Sequence, residues 1–347
     1  MVSVEDRNKR MVESAQKIQS PFVLDETLCL YSPQDNVDSL DHPRIREWIA
    51  FVENDYTPSL PKGNASVLLF MPCTKTKPYP FSSEHKAINQ RLLDEGFRPT
   101  ERNYLPQELQ ARLEPEFSQE VLNLSPLAND AGVVIHRMVI SEPLGVVPYE
   151  HIAAFNGKVS PAVSYDDPGL FEKRGNAVSP WRDDCTGRRQ SATRWKWGDE
   201  EQRTYVVMHN AMAETVAKVV GRIGHSYDDI VAWVAPGLTH RSFVLGRDER
   251  SINKVPAMRQ VGAKKMALIG ANDHLSGRTI HSMPTREECK DALDRLARKL
   301  DLPLAKANGI YARGGVSATP LALPELLDAL MVRINGAGAH ARYQRHG

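Results

Sequence analysis

Cysteine is scarce: four in 347 residues, Cys29, Cys73, Cys185 and Cys289, all far apart. There is neither a CxxC pair nor a Cys/His zinc spacing, so neither a disulfide framework nor a metal site is expected. The thiols read as reduced and the protein as cytoplasmic. Excess charge is also missing, because 44 Lys+Arg against 43 Asp+Glu leave a net charge of +1. That removes any global electrostatic case for nucleic acid or membrane and confines an anion site to a local patch. No apolar run reaches the ~20 residues of a membrane span. The stretch "MVSVEDRNKRMVESAQK" is charged and has no apolar centre, so no signal peptide is expected. No internal repeat is found, and no cofactor is expected.

What is present suffices for a folded core. Hydrophobic residues make up 41% and charged residues 25%, both ordinary for a globular chain. Residues 3–18 read as a polar helix and 20–33 as a short apolar segment between turns. In 41–56, Ile45, Trp48, Ile49 and Val52 fall at helical spacing behind Asp41 as cap. Residues 66–71 and 131–141 read as strands buried on both faces, with further strands at 229–237 and 265–272. Helices are expected from Ser83 to about Leu93, at 204–224, at 285–300 behind a Thr-x-x-Glu capping box, and at 324–334. Residues 155–203 look like loop. This alternation predicts an α/β fold, a layered, mostly parallel sheet with flanking helices. In such sheets the sites lie at strand carboxyl ends, where the polar loops 72–85 and 141–150 begin.

Cys73 follows the first strong strand directly. It reads either as a small buried core residue or as a thiolate whose pKa Lys75 and Lys77 lower. Pro78 extends Lys77, and Tyr79 stands between two prolines, either to stack on a base or to pack against the sheet. Ser82 and Ser83 suit a helix start. His85 would then lie in the first helical turn, where the dipole favours a neutral imidazole fit for general-base work or hydrogen bonding. Residues 179–203 interleave Trp181, Trp195 and Trp197 with Arg182, Arg188, Arg189, Arg194 and Lys196. This is either a nucleic-acid contact or a solvated loop with its tryptophans turned in. His240, Arg241, Arg247 and Arg250 in 239–255 read as a backbone grip or as surface. "IGANDHLSGRT" hints at phosphate binding.

Taken together, Pro72, Cys73, Lys77, Pro78, Tyr79, Ser82 and His85 make the pattern Pro-Cys-x3-Lys-Pro-Tyr-x2-Ser-x2-His. This resembles the signature of the archaeosine synthase core domain, a relative of tRNA-guanine transglycosylase. "VISEPLGVVPYEHI" is similar to that family's strand followed by Ser-Pro-Leu-Gly-x-Val-Pro-x-Glu. Tyr165-Asp166 and "WKWGDEE" resemble its later blocks. The similarity spans about residues 40–225, leaving 1–39 as an N-terminal extension. Residues 226–347 are left as an α/β region that is either a separate domain or a continuation of the same sheet. Glu142 departs from the family by standing where it has serine. No transglycosylase barrel or PUA-like tail is recognised, which keeps DNA open beside tRNA as the carrier.

The resemblance implies an enzyme that adds an amine, such as lysine, to the nitrile of 7-cyano-7-deazaguanine (preQ0) in tRNA or DNA, giving an amidine. Its partners would be that nucleic acid, an amino acid or other amine, and other enzymes of the 7-deazaguanine pathway. It offers Cys73, Lys77, His85 and Glu150 as catalytic residues: Lys77 and Tyr79 on the proton-donor side, His85 or Glu150 as base, and Cys73 as covalent nucleophile or pocket lining. Pro72, Tyr79, Ser82, Glu142, Leu144, Gly145 and Asp166 would bind substrate, with Asp166 holding an ammonium. Arg188, Arg189, Arg194, Trp195 and Lys196 would contact nucleic acid. Two alternatives stand beside this: hydrolysis or decarboxylation of the side chain, and a non-catalytic reader of modified nucleic acid.

Overall fold

The computed structural model describes residues 4–63, 65–167, 177–191, 194–237, 239–307 and 320–345. Its main sheet has seven strands: β1 Ala65–Pro72, β2 Arg98–Pro99, β3 Leu127–Ala128, β4 Val133–Ser141, β5 Gly145–Pro148, β6 Asp229–Trp233 and β7 His281–Met283. β1 and β4 carry no polar alternation because both faces are covered, and all nine residues of β4 are buried. They pair in parallel from Ala65–Val133 through Pro72–Ile140. β6 runs parallel on the other side of β1, and β7 parallel beyond β6. The outer edge of β4 takes β3 and β5 antiparallel, with β2 outside β3. The protein is thus a mixed α/β fold whose long central strands are parallel.

Helices flank this sheet. Pro324–Arg345 lies against β1 and against helix Ser83–Asp94, while Asp199–Ile223 lies against β5. The last begins five residues earlier than its apolar spacing suggests. Asp199, Glu200 and Glu201 favour the positive end of the dipole, and Glu201 reaches back to the Gly198 N–H at 2.9 Å. Helix Pro43–Ala50 is capped by His42, not Asp41, and runs on as a wider π-turn over Phe51–Asp55. Ser82, not Ser83, caps helix Ser83–Asp94, accepting from the His85 N–H at 3.2 Å.

The apolar run at 265–272 is not a sheet strand. Lys264–Ala267 forms a separate antiparallel hairpin with Met258–Val261, turning at Gly262, and Ala271–His274 is a helical turn. The strand that does join the sheet is the three-residue β7, too short to show a period. Within 155–203, two-residue hairpins pair Ala154–Phe155 with Lys158–Val159 and Arg188–Arg189 with Trp195–Lys196. Residues 168–176 and 192–193 of that stretch lie outside the described residues.

Residues 4–39 are bonded into the body of the protein. Gln19 N–H donates to the Lys77 carbonyl at 2.8 Å, Lys77 N–H to Lys17 at 3.0 Å, and Leu30 N–H to Asp166 at 2.9 Å. Residues 226–347 contribute β6 and β7, so that region continues the same sheet. Among the described residues no helix is long and apolar enough to cross a membrane.

Candidate active site at the strand ends

β6, β1 and β4 are adjacent and parallel, so the segments leaving their carboxyl ends meet. Cys73 comes straight after β1, its N–H held by the Ile140 carbonyl of β4 at 3.1 Å. Glu142 comes straight after β4. His240 lies in the short helix Thr239–Val244 that follows β6. Cys73 Sγ is 3.2 Å from His240 Nε2 and 3.8 Å from Glu142 Oε2, and those two atoms are 3.7 Å apart. The Phe243 ring sits edge-on to His240 at 6.0 Å. The β1 strand lies where the chain reverses its direction of travel across the sheet, from β1 out to β4 and back past it to β6, which is where open α/β sheets place ligands.

The cluster is largely enclosed, with Glu142 buried and Cys73 and His240 half-buried, and this enclosure shifts its titration. Burial, with the nearby charges of Glu142 and Asp167, pushes the Cys73 thiol well above its ordinary value. Burial and Asp167 likewise push the Glu142 carboxyl up. Burial pushes His240 down to about 4. In each case burial is the largest cause and works against the charged form.

A second layer surrounds Ser141. The Tyr79 hydroxyl donates to Ser141 Oγ at 2.9 Å and lies 2.9 Å from the Tyr165 hydroxyl, which also bonds Ser141. Tyr79 is completely buried, so it packs and bonds rather than offering a face to a base. The Lys77 ammonium is 4.6 Å above the Tyr165 ring and 3.7 Å from Asp166 Oδ1. Lys17, from the N-terminal segment, pairs with the other Asp166 oxygen. Asp166, expected to hold a substrate ammonium, is ion-paired with two lysines of the chain itself, while its Oδ1 has no hydrogen-bond partner among the described residues.

Other expected site residues play structural parts. His85 is fully buried, with Nδ1 2.7 Å from the Tyr149 hydroxyl and Nε2 2.9 Å from the Pro72 carbonyl. It clamps the residue before Cys73, and both nitrogens are engaged, so it is a positioning residue rather than a base. Ser82 is a helix cap. Leu144 gives its carbonyl to the Trp48 indole N–H at 3.2 Å. Gly145 holds φ +73°, and a Cβ there would come 2.3 Å from Thr215 Cγ2, so it is required by close approach. Glu150 stands lower on the sheet. The register sets Pro148 against Met138, whereas Ser141 faces Gly145, which puts Glu150 roughly 10 Å or more from the Cys73 end at ~3.3 Å per residue. It bonds the Tyr56 hydroxyl at 2.5 Å and His136 Nε2 at 3.1 Å. Burial opposes its ionisation, yet His136 and Tyr56 hold its carboxyl down at about 2.

Arg188, Arg189, Arg194 and Lys196 are exposed on their small hairpin, with Trp195 half-buried. Trp197 is turned in, its N–H donating to the Ala177 carbonyl at 2.8 Å. Arg241 and Arg250 are buried and bond main-chain carbonyls of Val234, Pro284, Ser242 and Pro256, so they tie loops together and do not face a phosphate backbone. Asn272, in the stretch that hinted at phosphate, spends its amide on Glu249 and the Ile280 carbonyl.

Sequence reasoning singled out Cys73 and Glu142 separately and missed that His240 completes them. The partners lie 69 and 167 residues from Cys73, beyond any local spacing. The available signal was position: His240 closely follows the carboxyl end of a strand. Among known proteins, no family model, curated protein or solved structure matches the chain.

Two buried histidines make the fold acid-sensitive. Burial pushes His85 down to about 4 and His209 down to about 3. Unfolded, both would bind a proton near ~6.5. Their neutral packing therefore contributes full stability above that value, and the contribution is lost as pH falls from 6.5 toward 4. The loss is on the order of 3 kcal/mol for His85 alone. Urea midpoints measured from pH 7.5 to 4.5 are expected to drop steadily below pH 6.5, and less steeply in His85→Gln; a flat profile would contradict the assignment.

Proposed function

We propose that the protein modifies a 7-deazaguanine base in tRNA or DNA by nucleophilic addition to the nitrile of a 7-cyano-7-deazaguanine, with an amine such as lysine giving an amidine. The observation that carries this reading is the convergence of Cys73, Glu142 and His240 at three neighbouring strand ends. Addition needs a proton or cation for the nitrile nitrogen, which gains negative charge, and an acceptor for the proton the nucleophile loses. A carboxyl and an imidazole flanking a thiol supply both. In balanced form, the nucleophile's lone pair forms the new bond to the nitrile carbon, one C–N π pair moves to nitrogen, and that nitrogen takes a proton. The seven-position motif beginning at Pro72 gives the substrate class. The exposed cations on the Arg188–Lys196 hairpin give a local surface for polynucleotide phosphates. Four free thiols go with a reducing cytoplasm.

One observation favours water over an amino acid as the nucleophile, giving an amide by hydration. The carboxylate to which the resemblance gives a substrate ammonium, Asp166, is already ion-paired with Lys17 and Lys77. Nucleoside mass spectrometry decides between them. The protein is incubated with preQ0-bearing tRNA or DNA, with lysine, glycine, glutamine or ammonia, and with water alone. A mass gain equal to the amine supports the leading reading, and a gain of one water the second. A nitrile unchanged in every mixture, with binding retained, would overturn both in favour of a reader.

A further inference from the structure

We propose that Cys73 Sγ, Glu142 Oε2 and His240 Nε2 are the three protein ligands of a zinc(II) ion. Among the described residues they are the one group of three such side chains whose donor atoms all lie within 4.8 Å of one another. The triangle they form has the right size. An ion bound tetrahedrally at about 2.0–2.3 Å places neighbouring S, N and O ligands about 3.4–3.6 Å apart. The three observed edges are 3.2, 3.7 and 3.8 Å, so an ion seats at the centre with shifts of a few tenths of an ångström.

The donor set also suits the metal. One thiolate, one imidazole and one carboxylate are borderline-soft ligands of the kind zinc takes. Three protein ligands leave a fourth position open, which is the arrangement of catalytic rather than structural zinc. His240 Nδ1 is buried and has no hydrogen-bond partner among the described residues, and Nε2 faces the cluster; a proton on Nδ1 would leave the Nε2 lone pair for the ion. Binding would take the thiolate and carboxylate forms, with any proton those groups carry released to solvent.

The surroundings carry charge of both signs. Lys17 and Lys77 pair with Asp166 beside the cluster, and the charges of Lys77 and Asp167 both act on Cys73 and Glu142. Ser141, among the groups that favour the Cys73 thiolate, is held in turn by Tyr79 and Tyr165. This is the outer layer that orients a metal ligand.

Metal binding needs nothing from the nitrile chemistry. What it adds there rests on the function proposed above: with His240 Nε2 and Glu142 Oε2 on the ion, an open position on zinc would take over their part, as a Lewis acid for the nitrile nitrogen or as a site that acidifies bound water. The test uses the whole chain and the metal alone. EDTA-treated protein is titrated with zinc chloride against a chromogenic chelator, and a second sample is loaded with cobalt(II) for absorption spectroscopy. About one equivalent of tight binding is expected, with a sulfur-to-cobalt charge-transfer band and a tetrahedral d–d spectrum. Glu142→Gln and His240→Ala, checked for fold by circular dichroism, should each weaken zinc at least tenfold, and Cys73→Ser should abolish the charge-transfer band. No stoichiometric uptake by the folded wild type would overturn the proposal, as would undiminished affinity in folded His240→Ala and Glu142→Gln. Zinc bound as expected in a protein that leaves every nitrile unchanged would support the metal site and sink the function reading instead.

Discussion

His240→Ala is expected to lower turnover of a preQ0-bearing polynucleotide by about 10²–10⁴-fold, the usual worth of a positioned proton-transfer group, while leaving the chain folded. The expectation of a folded variant comes from the side chain's place. His240 contacts Cys73, Glu142 and Phe243 at the rim of the sheet, and among the described residues its side chain bonds no further element. Single-turnover mass spectrometry on the digested nucleoside, beside a thermal melt, reads both quantities. His85→Gln is the instructive contrast. His85 bonds the Pro72 carbonyl and the Tyr149 hydroxyl, so its loss should cost stability and misplace Cys73 without changing which proton-transfer groups are present. If His240→Ala retained full turnover, the three-residue cluster would not be the reactive centre, whatever its geometry.

Asp166→Ala is expected to destabilise the protein by about 3–5 kcal/mol, the cost of leaving a buried charge without its partner. Lys77 and Asp166 side chains are each only 1% exposed, and Lys17 is 23% exposed. Removing the carboxylate strands one buried ammonium and weakens the junction of the N-terminal segment with the loop after β1. Urea denaturation is the measurement. Unchanged stability with a raised KM for an amine co-substrate would support the role the resemblance implied for Asp166. Lost stability would make its occupation by the protein's own lysines structural and strengthen the case for water as nucleophile.

Much of the architecture is written locally. β1 and β4 are legible as unbroken apolar runs because a strand covered on both faces has no polar positions to alternate. The helix after Thr285 is legible from its capping box, since Thr285 and Glu288 satisfy each other's main-chain N–H groups in the structure. The loops after β1 and β4 announced themselves as places for chemistry because parallel sheets expose their carboxyl ends. Elements that escaped notice are those shaped by distant partners. β7 is three residues long and is a strand only because β6 lies beside it. The helix beginning at Asp199 extends past its apolar stripe on charge and capping alone.

The site divides in the same way. By itself the sequence determined which side chains capable of chemistry lie at strand ends, Cys73 and Glu142 among them, since strand patterns and polar loops are properties of a few adjacent residues. Only the tertiary structure decided which of them meet. Strand order, which sets β6 and β4 on either side of β1, brings His240 across 167 residues to Cys73. The same packing buries Tyr79 and His85 and sends Glu150 down the sheet to His136. Contact between segments so far apart in the chain depends on how the whole sheet assembles, and no local spacing encodes it.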